Sequence, residues 1–112
     1  MRDTMEKARR VAHAISKLDL PLSQLILFGS VARGCDKITS DIDIAVITHV
    51  PLSNSQRKEV THTVAEYETL DSIQEVNCFY ATDEALAKAT HWNDPCTNIR
   101  KDGVVLWQHE VI

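Results

Sequence analysis

The sequence predicts an α/β (α+β) fold: a small mixed β-sheet of about four strands with helices packed mainly on one side. Hydrophobic patterns of helical and strand type alternate along the chain, which is typical of that class. The 112 residues suffice for one hydrophobic core, and the chain contains no repeat, low-complexity segment or linker. Hydrophobic residues make up 44% and charged residues 25%, an ordinary globular composition. We therefore expect residues 1–112 to form a single domain.

The first half of the chain predicts one helix followed by two strands. Apolar residues recur at helical spacing over 3–18. After Pro21, the run Leu25–Phe28 is short enough for a buried strand, and Gly29 ends it. Residues 41–48 are rich in β-branched side chains and are predicted to form the second strand.

The second half predicts three further helices and two strands. Ser53 and Gln56 form a capping-box pattern at the start of a helix over 54–70. The remaining elements are expected in this order: a strand over 73–80, a helix over 83–89 with Thr82 as its N-cap, a helix over 95–101 that stops at Gly103, and a closing strand over 104–107.

Charge and cysteine content restrict the function and the compartment. The net charge of −4 disfavours direct binding to nucleic acid. Residues 1–40 carry seven basic and four acidic groups, so the basic first helix either steers a partner or anionic ligand or is simply a solvated face. Three cysteines without CxxC spacing argue against a disulfide framework and a zinc site, and indicate a reducing, cytoplasmic compartment. No apolar run approaches the roughly 18 residues of a membrane span.

Two carboxylates on the second strand are the strongest chemical signal. Asp41 and Asp43 are two residues apart, so in a strand both leave the same face, while Ile42 and Ile44 point to the other. Like charges about 7 Å apart repel each other unless cations lie between them. Oxygen ligands of this kind suit Mg²⁺ or Mn²⁺, and a pair of such ions activates an attacking oxygen and stabilises a leaving phosphate.

A glycine-serine step precedes these carboxylates. Gly29 permits close backbone approach at the end of a buried strand, and the predicted helix start at Ser30 favours phosphate. The guanidinium of Arg33 can donate two hydrogen bonds to a phosphate, and Gly34 lies in the same turn. Ten residues separate Ser30 from Asp41. If the two strands are neighbours, the phosphate-binding turn and the acids lie at the same end of the sheet. Together they predict a binding site for a nucleoside triphosphate, held through its phosphates and a metal ion.

The Gly29–Ser30 step, ten residues and the Asp41-x-Asp43 pair resemble the signature of the nucleotidyltransferase superfamily that includes DNA polymerase beta. The length of the chain and its closing helix, glycine and strand are similar to those of minimal nucleotidyltransferases. The resemblance implies a nucleotidyltransferase fold, ATP as nucleotide donor, a triphosphate on Gly29 and Ser30, and two Mg²⁺ ions on Asp41 and Asp43. It also implies a partner, because minimal nucleotidyltransferases typically pair with helical HEPN-domain toxins and act as antitoxins that can adenylylate a toxin tyrosine.

The sequence departs from the family pattern at the third carboxylate, which serves as metal ligand and base. The strand that resembles its usual place carries Asn77, and an amide ligates a metal weakly but cannot accept a proton. Glu75 lies two residues earlier and, by strand period, on the same face. Either Glu75 replaces the missing acid or it is an exposed strand residue and the site is inactive.

Two functions follow from this departure. The first is metal-dependent transfer of a nucleotidyl group, most readily AMP from ATP, to a hydroxyl of a partner protein, with Asp41, Asp43 and Glu75 as the catalytic residues. The second is a nucleotidyltransferase-fold module that regulates its partner by binding alone, which Asn77 favours. The chain is too short for an acceptor-binding domain of its own, so both functions require a second protein or another subunit.

Overall fold

A computed structural model describes residues 4–32, 41–68 and 75–109. Its sheet contains four strands in the order β3-β2-β1-β4. Strand β1 (Leu22–Phe28) is central and pairs antiparallel with both β2 (Ile42–Thr48) and β4 (Val104–Gln108). Strand β3 (Val76–Thr82) pairs parallel with β2. The mixed four-stranded sheet that the sequence predicts is therefore confirmed.

Helices cover both faces of this sheet, the two longest on the same side. Helices α1 (Thr4–Ser16) and α3 (Asn54–Glu68) pack on one face. Helix α2 (Gly29–Ala32) is a single turn at the end of β1, while α4 (Asp83–Lys88) and α5 (Pro95–Asp102) lie against the opposite face. No helix in the described part of the chain is long and apolar enough to cross a membrane.

Strand alternation divides the apolar residues into two clusters. Leu25, Leu27 and Ile44 are fully buried beneath α1 and α3. Burying an aliphatic side chain of this size contributes roughly 1.5–3 kcal/mol, so this larger cluster carries most of the hydrophobic stabilisation. The smaller cluster on the opposite face contains Ile26, Ala45, Ile47 and Ile99.

The predicted capping residues occupy their expected positions. Ser53 N–H donates to Gln56 Oε1 at 2.9 Å, and Gln56 N–H donates to Ser53 Oγ at 3.2 Å, so the capping box at α3 is formed. Thr82 Oγ1 accepts from Ala85 N–H at 3.2 Å and caps α4. These bonds satisfy amide groups that have no partner within their helices, which fixes where each helix begins.

Two strands extend past the sequence prediction by more than one residue. Strand β1 begins at Leu22, because Leu22 pairs with Thr48 across an irregularity before Gln24. Strand β3 extends to Thr82, because every residue from Val76 to Thr82 has a partner in β2. In both cases long-range pairing extends the strand past the apolar run that predicts it. Asp41 and Glu75 are predicted within strands, whereas they directly precede β2 and β3. Residues 3, 69–70 and 73–74 of the predicted elements lie outside the described residues.

Candidate active site

The candidate site lies where the end of β1 meets the beginnings of β2 and β3. In the sheet register, Asp43 pairs with Phe28 of β1 on one side and with Asn77 of β3 on the other. Asp41 directly precedes β2. Ile42 and Ile44 are fully buried on the opposite face, as strand alternation predicts. The sheet therefore brings the two predicted acids and the predicted third position together.

The Asn77 side chain bridges the two carboxylates. Its Nδ2 donates to Asp41 Oδ2 at 3.2 Å and to Asp43 Oδ1 at 3.4 Å. Asp41 and Asn77 are exposed, and Asp43 is half-buried. The amide hydrogens carry partial positive charge, so they lie where a cation would reduce the repulsion between the acids. The same amide can offer its oxygen to a metal after rotation, because Asn side chains supply both donors and an acceptor.

Gly29 is required by two independent features of its position. Its φ of 78° lies in the left-handed region, which side chains with a Cβ rarely adopt. In addition, a Cβ on Gly29 would overlap Oδ2 of Asp43. The chain therefore turns into α2 with its backbone directly against a carboxylate of the site. Gly29 and Asp43 therefore lie at the same end of the sheet.

The remaining predicted residues are placed only in part. Glu75 is exposed just before β3, and its carbonyl oxygen accepts from Ile42 N–H at 2.8 Å. This bond fixes the Glu75 backbone beside the acids, although its carboxylate makes no hydrogen bond or ion pair with the other described side chains. Arg33 and Gly34 lie outside the described residues, and so does the side chain of Ser30.

A cleft beside Gly29 was not predicted from the sequence. It has a volume of about 230 Å³ and lies between the end of β1 and α5. Asp94 caps α5 by accepting from Cys96 N–H at 2.9 Å, which fixes where this helix begins. The Asp94–Pro95 pair was the available signal for that cap. The lining residues are Phe28, Gly29, Asn93, Pro95, Asn98 and Asp102.

The oxygen atoms of Asp41, Asp43 and Asn77 suit a hard divalent cation that also binds the phosphates of a substrate. Within the three described ranges, no group of three His, Cys, Asp or Glu side chains is arranged to hold a metal. Asp41 and Asp43 both accept from the Asn77 amide, so the protein ligands available to a metal at this point are two carboxylates and one amide oxygen. Mg²⁺ commonly binds one or two carboxylates together with substrate phosphates, so this set suits it better than a cation that needs a complete protein cage.

A mixed sheet that holds paired carboxylates against a glycine turn defines a nucleotidyltransferase-type fold. Residues 13–109 match the family model described as polymerase beta, nucleotidyltransferase. The chain belongs to this family. No curated protein sequence matches it significantly.

Similar solved structures share this fold. A toxin–antitoxin crystal structure with AMP-PNP aligns at 26% identity and a TM-score of 0.62, covering 92% of this chain and 74% of that one. An MNT antitoxin structure, in complex with a tri-AMPylated HEPN toxin of Shewanella oneidensis, aligns at 21% identity and 0.60, covering 95% and 73%. A nucleotidyltransferase structure from Sulfolobus solfataricus, described as putative, aligns at 19% identity and 0.57, covering 96% and 89%. The chain is thus similar to nucleotidyltransferase domains of toxin–antitoxin pairs.

Proposed function

We propose that this protein is a Mg²⁺-dependent nucleotidyltransferase that moves AMP from ATP to a hydroxyl of a partner protein. The partner we propose is a helical HEPN-domain toxin in the same cytoplasm, with this chain as its antitoxin. The observation that carries the proposal is the convergence of Asp41, Asp43 and Asn77 beside the turn at Gly29. It is supported by two similar structures, one with AMP-PNP and one of a tri-AMPylated HEPN toxin in complex with its antitoxin.

The reaction we propose is a single displacement at the α-phosphorus of ATP. The acceptor hydroxyl oxygen forms the new P–O bond, the bond to pyrophosphate breaks, and the hydroxyl proton passes to a base. Asp41, Asp43 and the Asn77 amide oxygen would hold the metal, which when bound supplies positive charge for the phosphates. Gly29, Ser30, Arg33 and Gly34 would hold the triphosphate. The exposed position of Asp41 leaves the site open to an acceptor on another protein.

Glu75 is the base we propose. Asn77 cannot take the proton, and Glu75 is the nearest acid along β3 in sequence. Its carbonyl oxygen accepts from Ile42 N–H, and Ile42 lies between Asp41 and Asp43, so the Glu75 backbone lies beside the acids. Replacement of Glu75 by Gln should then lower the transfer rate while leaving ATP affinity unchanged. Loss of affinity instead would assign Glu75 to binding.

A second candidate function is regulation by contact alone. The Asn77 amide already donates to both carboxylates, so the acids have a partner without any metal. In that case Asp41→Asn and Asp43→Asn would leave neutralisation of the partner intact. If transfer is required, either change would abolish neutralisation without unfolding the chain.

The experiment is a transfer assay with the HEPN partner, Mg²⁺ and ATP labelled at the α-phosphate. We expect label on the partner, and a loss of about a hundredfold or more in Asp43→Asn, because the phosphates lose their charge neutralisation. Glu59→Gln, an exposed acid on α3, is the matched control and should keep full activity. No label with any nucleotide, from folded protein with the partner present, would contradict transfer and leave the contact function.

A further inference from the structure

An open groove lies on the face of the sheet opposite the candidate active site. It has a volume of about 400 Å³ and is formed by α1, the end of α3 and the edge strand β4. Its apolar residues pack against the cluster beneath α1 and α3, whereas Phe28 beside the active site packs against the cluster on the other face. A side chain that binds in this groove therefore lies across the sheet from the carboxylates.

A β-bulge builds the apolar wall of the groove. Trp107 pairs with Leu25 and Val105 pairs with Ile26, so Leu106 is an extra residue in β4. As a result, consecutive residues Leu106 and Trp107 both pack against the same cluster instead of alternating between the faces. Tyr67 of α3 completes this wall, and all three side chains are only half-buried.

The rim of the groove is charged and comes from the exposed face of α1. Arg9, Arg10 and His13 line it together with Glu6. Arg10 is already engaged, since its Nη2 lies 2.6 Å from Glu6 Oε1. Arg9 makes no hydrogen bond or ion pair with the residues that the structure describes. The groove thus offers an uncommitted guanidinium next to an aromatic wall, on a protein whose net charge is −4.

We propose that this groove binds an acidic segment of a partner protein, with an apolar or aromatic side chain on the Trp107 wall and a carboxylate on Arg9. Half-buried aromatic residues beside an arginine are the composition of an interface hot spot. Glu6 favours a protein segment over a polyphosphate or nucleic acid strand, because a closely spaced row of phosphates would meet a carboxylate in the rim. The groove would anchor a partner whether or not nucleotidyl transfer occurs.

The test begins with random peptides displayed for selection on the full-length protein. We expect enriched peptides to place Leu, Phe or Trp beside Asp or Glu. The tightest peptide is then synthesised and titrated in a Trp92→Phe background, so that Trp107 is the only tryptophan fluorophore. Its fluorescence should change on binding, and the affinity should fall as salt rises.

Charge-reversal variants distinguish a specific contact in the groove from a general effect of net charge on peptide affinity. Arg9→Glu should weaken the peptide at least tenfold, whereas Lys58→Glu, which changes net charge equally on the exposed side of α3, should change affinity less than twofold. Equal effects of both variants, enrichment of peptides without the acidic-apolar pairing, or tighter binding of oligouridine with the same Trp107 change would overturn the proposal. Asp43→Asn should bind the peptide normally, so failure of nucleotidyl transfer and failure of the groove are distinguished.

Discussion

At the scale of single residues, Gly29 links the backbone to the chemistry of the site. Its positive φ and the contact of its backbone with Asp43 are separate requirements, and a Cβ violates both. Strain at such a position costs about 1–3 kcal/mol. The sequence motif predicts a glycine here for phosphate approach, whereas the structure adds that the same glycine makes room for a carboxylate.

Gly29→Ala should lower the free energy of unfolding by about 1–3 kcal/mol and displace the Asp43 carboxylate. Urea unfolding measures the first effect, and Mg²⁺-dependent ATP binding measures the second. The double variant Gly29→Ala/Asp43→Ala removes the overlap but keeps the backbone strain, so it should recover only part of the lost stability. Full recovery, or no loss in the single variant, would show that the left-handed conformation is not needed.

Tyr80 makes stability depend on pH in the alkaline range. Burial raises the pKa of Tyr80 above 10.0, and the neighbouring Cys78 raises it further, while a hydrogen bond with Thr61 and the charge of Arg57 lower it. The folded state therefore holds the phenol proton more tightly than the unfolded state. This contribution is fully present below pH 10.0 and is lost as the pH rises through the folded pKa.

We expect Tyr80→Phe to reduce the fall in urea midpoint between pH about 9 and about 11, relative to the wild type, because the titrating phenol is gone. Phe keeps the ring that lies 4.8 Å from the Arg57 guanidinium carbon, so packing changes little. Unfolding at several pH values gives the two slopes. Identical slopes would mean that other groups account for the alkaline loss.

At the scale of elements, the docking of α5 depends on close packing at its C-terminus. Gly103 has φ −68°, an ordinary value, and its N–H donates to Ile99 O at 2.9 Å. A Cβ there would overlap Ile99 O and the Ile26 side chain. The sequence predicts Gly103 as a helix stop, which is confirmed, but the structure shows that close packing, rather than a left-handed turn, requires the glycine.

Gly103→Ala should therefore destabilise the fold by about 1–3 kcal/mol through overpacking, although alanine suits the backbone angle. The stability measurement is urea unfolding, and hydrogen exchange of the α5 amides should show the local effect. Ser53→Ala is a useful comparison, since loss of the α3 cap should cost about 1 kcal/mol without affecting α5 exchange. A Gly103→Ala variant more stable than the wild type would contradict this packing argument.

The sequence predicts the helices and strands of this protein better than it predicts the clefts. The capping pairs Ser53–Gln56 and Thr82–Ala85 depend on neighbours in sequence, so local rules suffice. The start of β1 and the end of β3 depend on strand pairing, which a local pattern does not contain. The groove at Trp107 results from a bulge in β4, and its register arises only when β1 and β4 pair.

At the scale of the whole molecule, the two faces of the sheet would serve different tasks. One face presents Asp41, Asp43 and Asn77 at the start of β2 and β3. The other presents a groove whose rim on α1 carries Arg9, Arg10 and His13 together with Glu6. Such a division would allow the protein to hold a partner on one face of the sheet and react with it on the other.

We expect the site of Asp41 and Asp43 to bind ATP only together with a divalent metal. Calorimetric titration of ATP, with and without Mg²⁺, tests this on the wild type, Asp43→Asn and the control Asp19→Asn. Asp19 is an exposed acid that precedes the first residue of β1, at the end of that strand away from the site. We predict binding that requires Mg²⁺, disappears in Asp43→Asn and persists in Asp19→Asn. Binding without Mg²⁺, or retained in folded Asp43→Asn, would contradict the account. So would its absence at millimolar ATP in the wild type, which would favour the contact-only module.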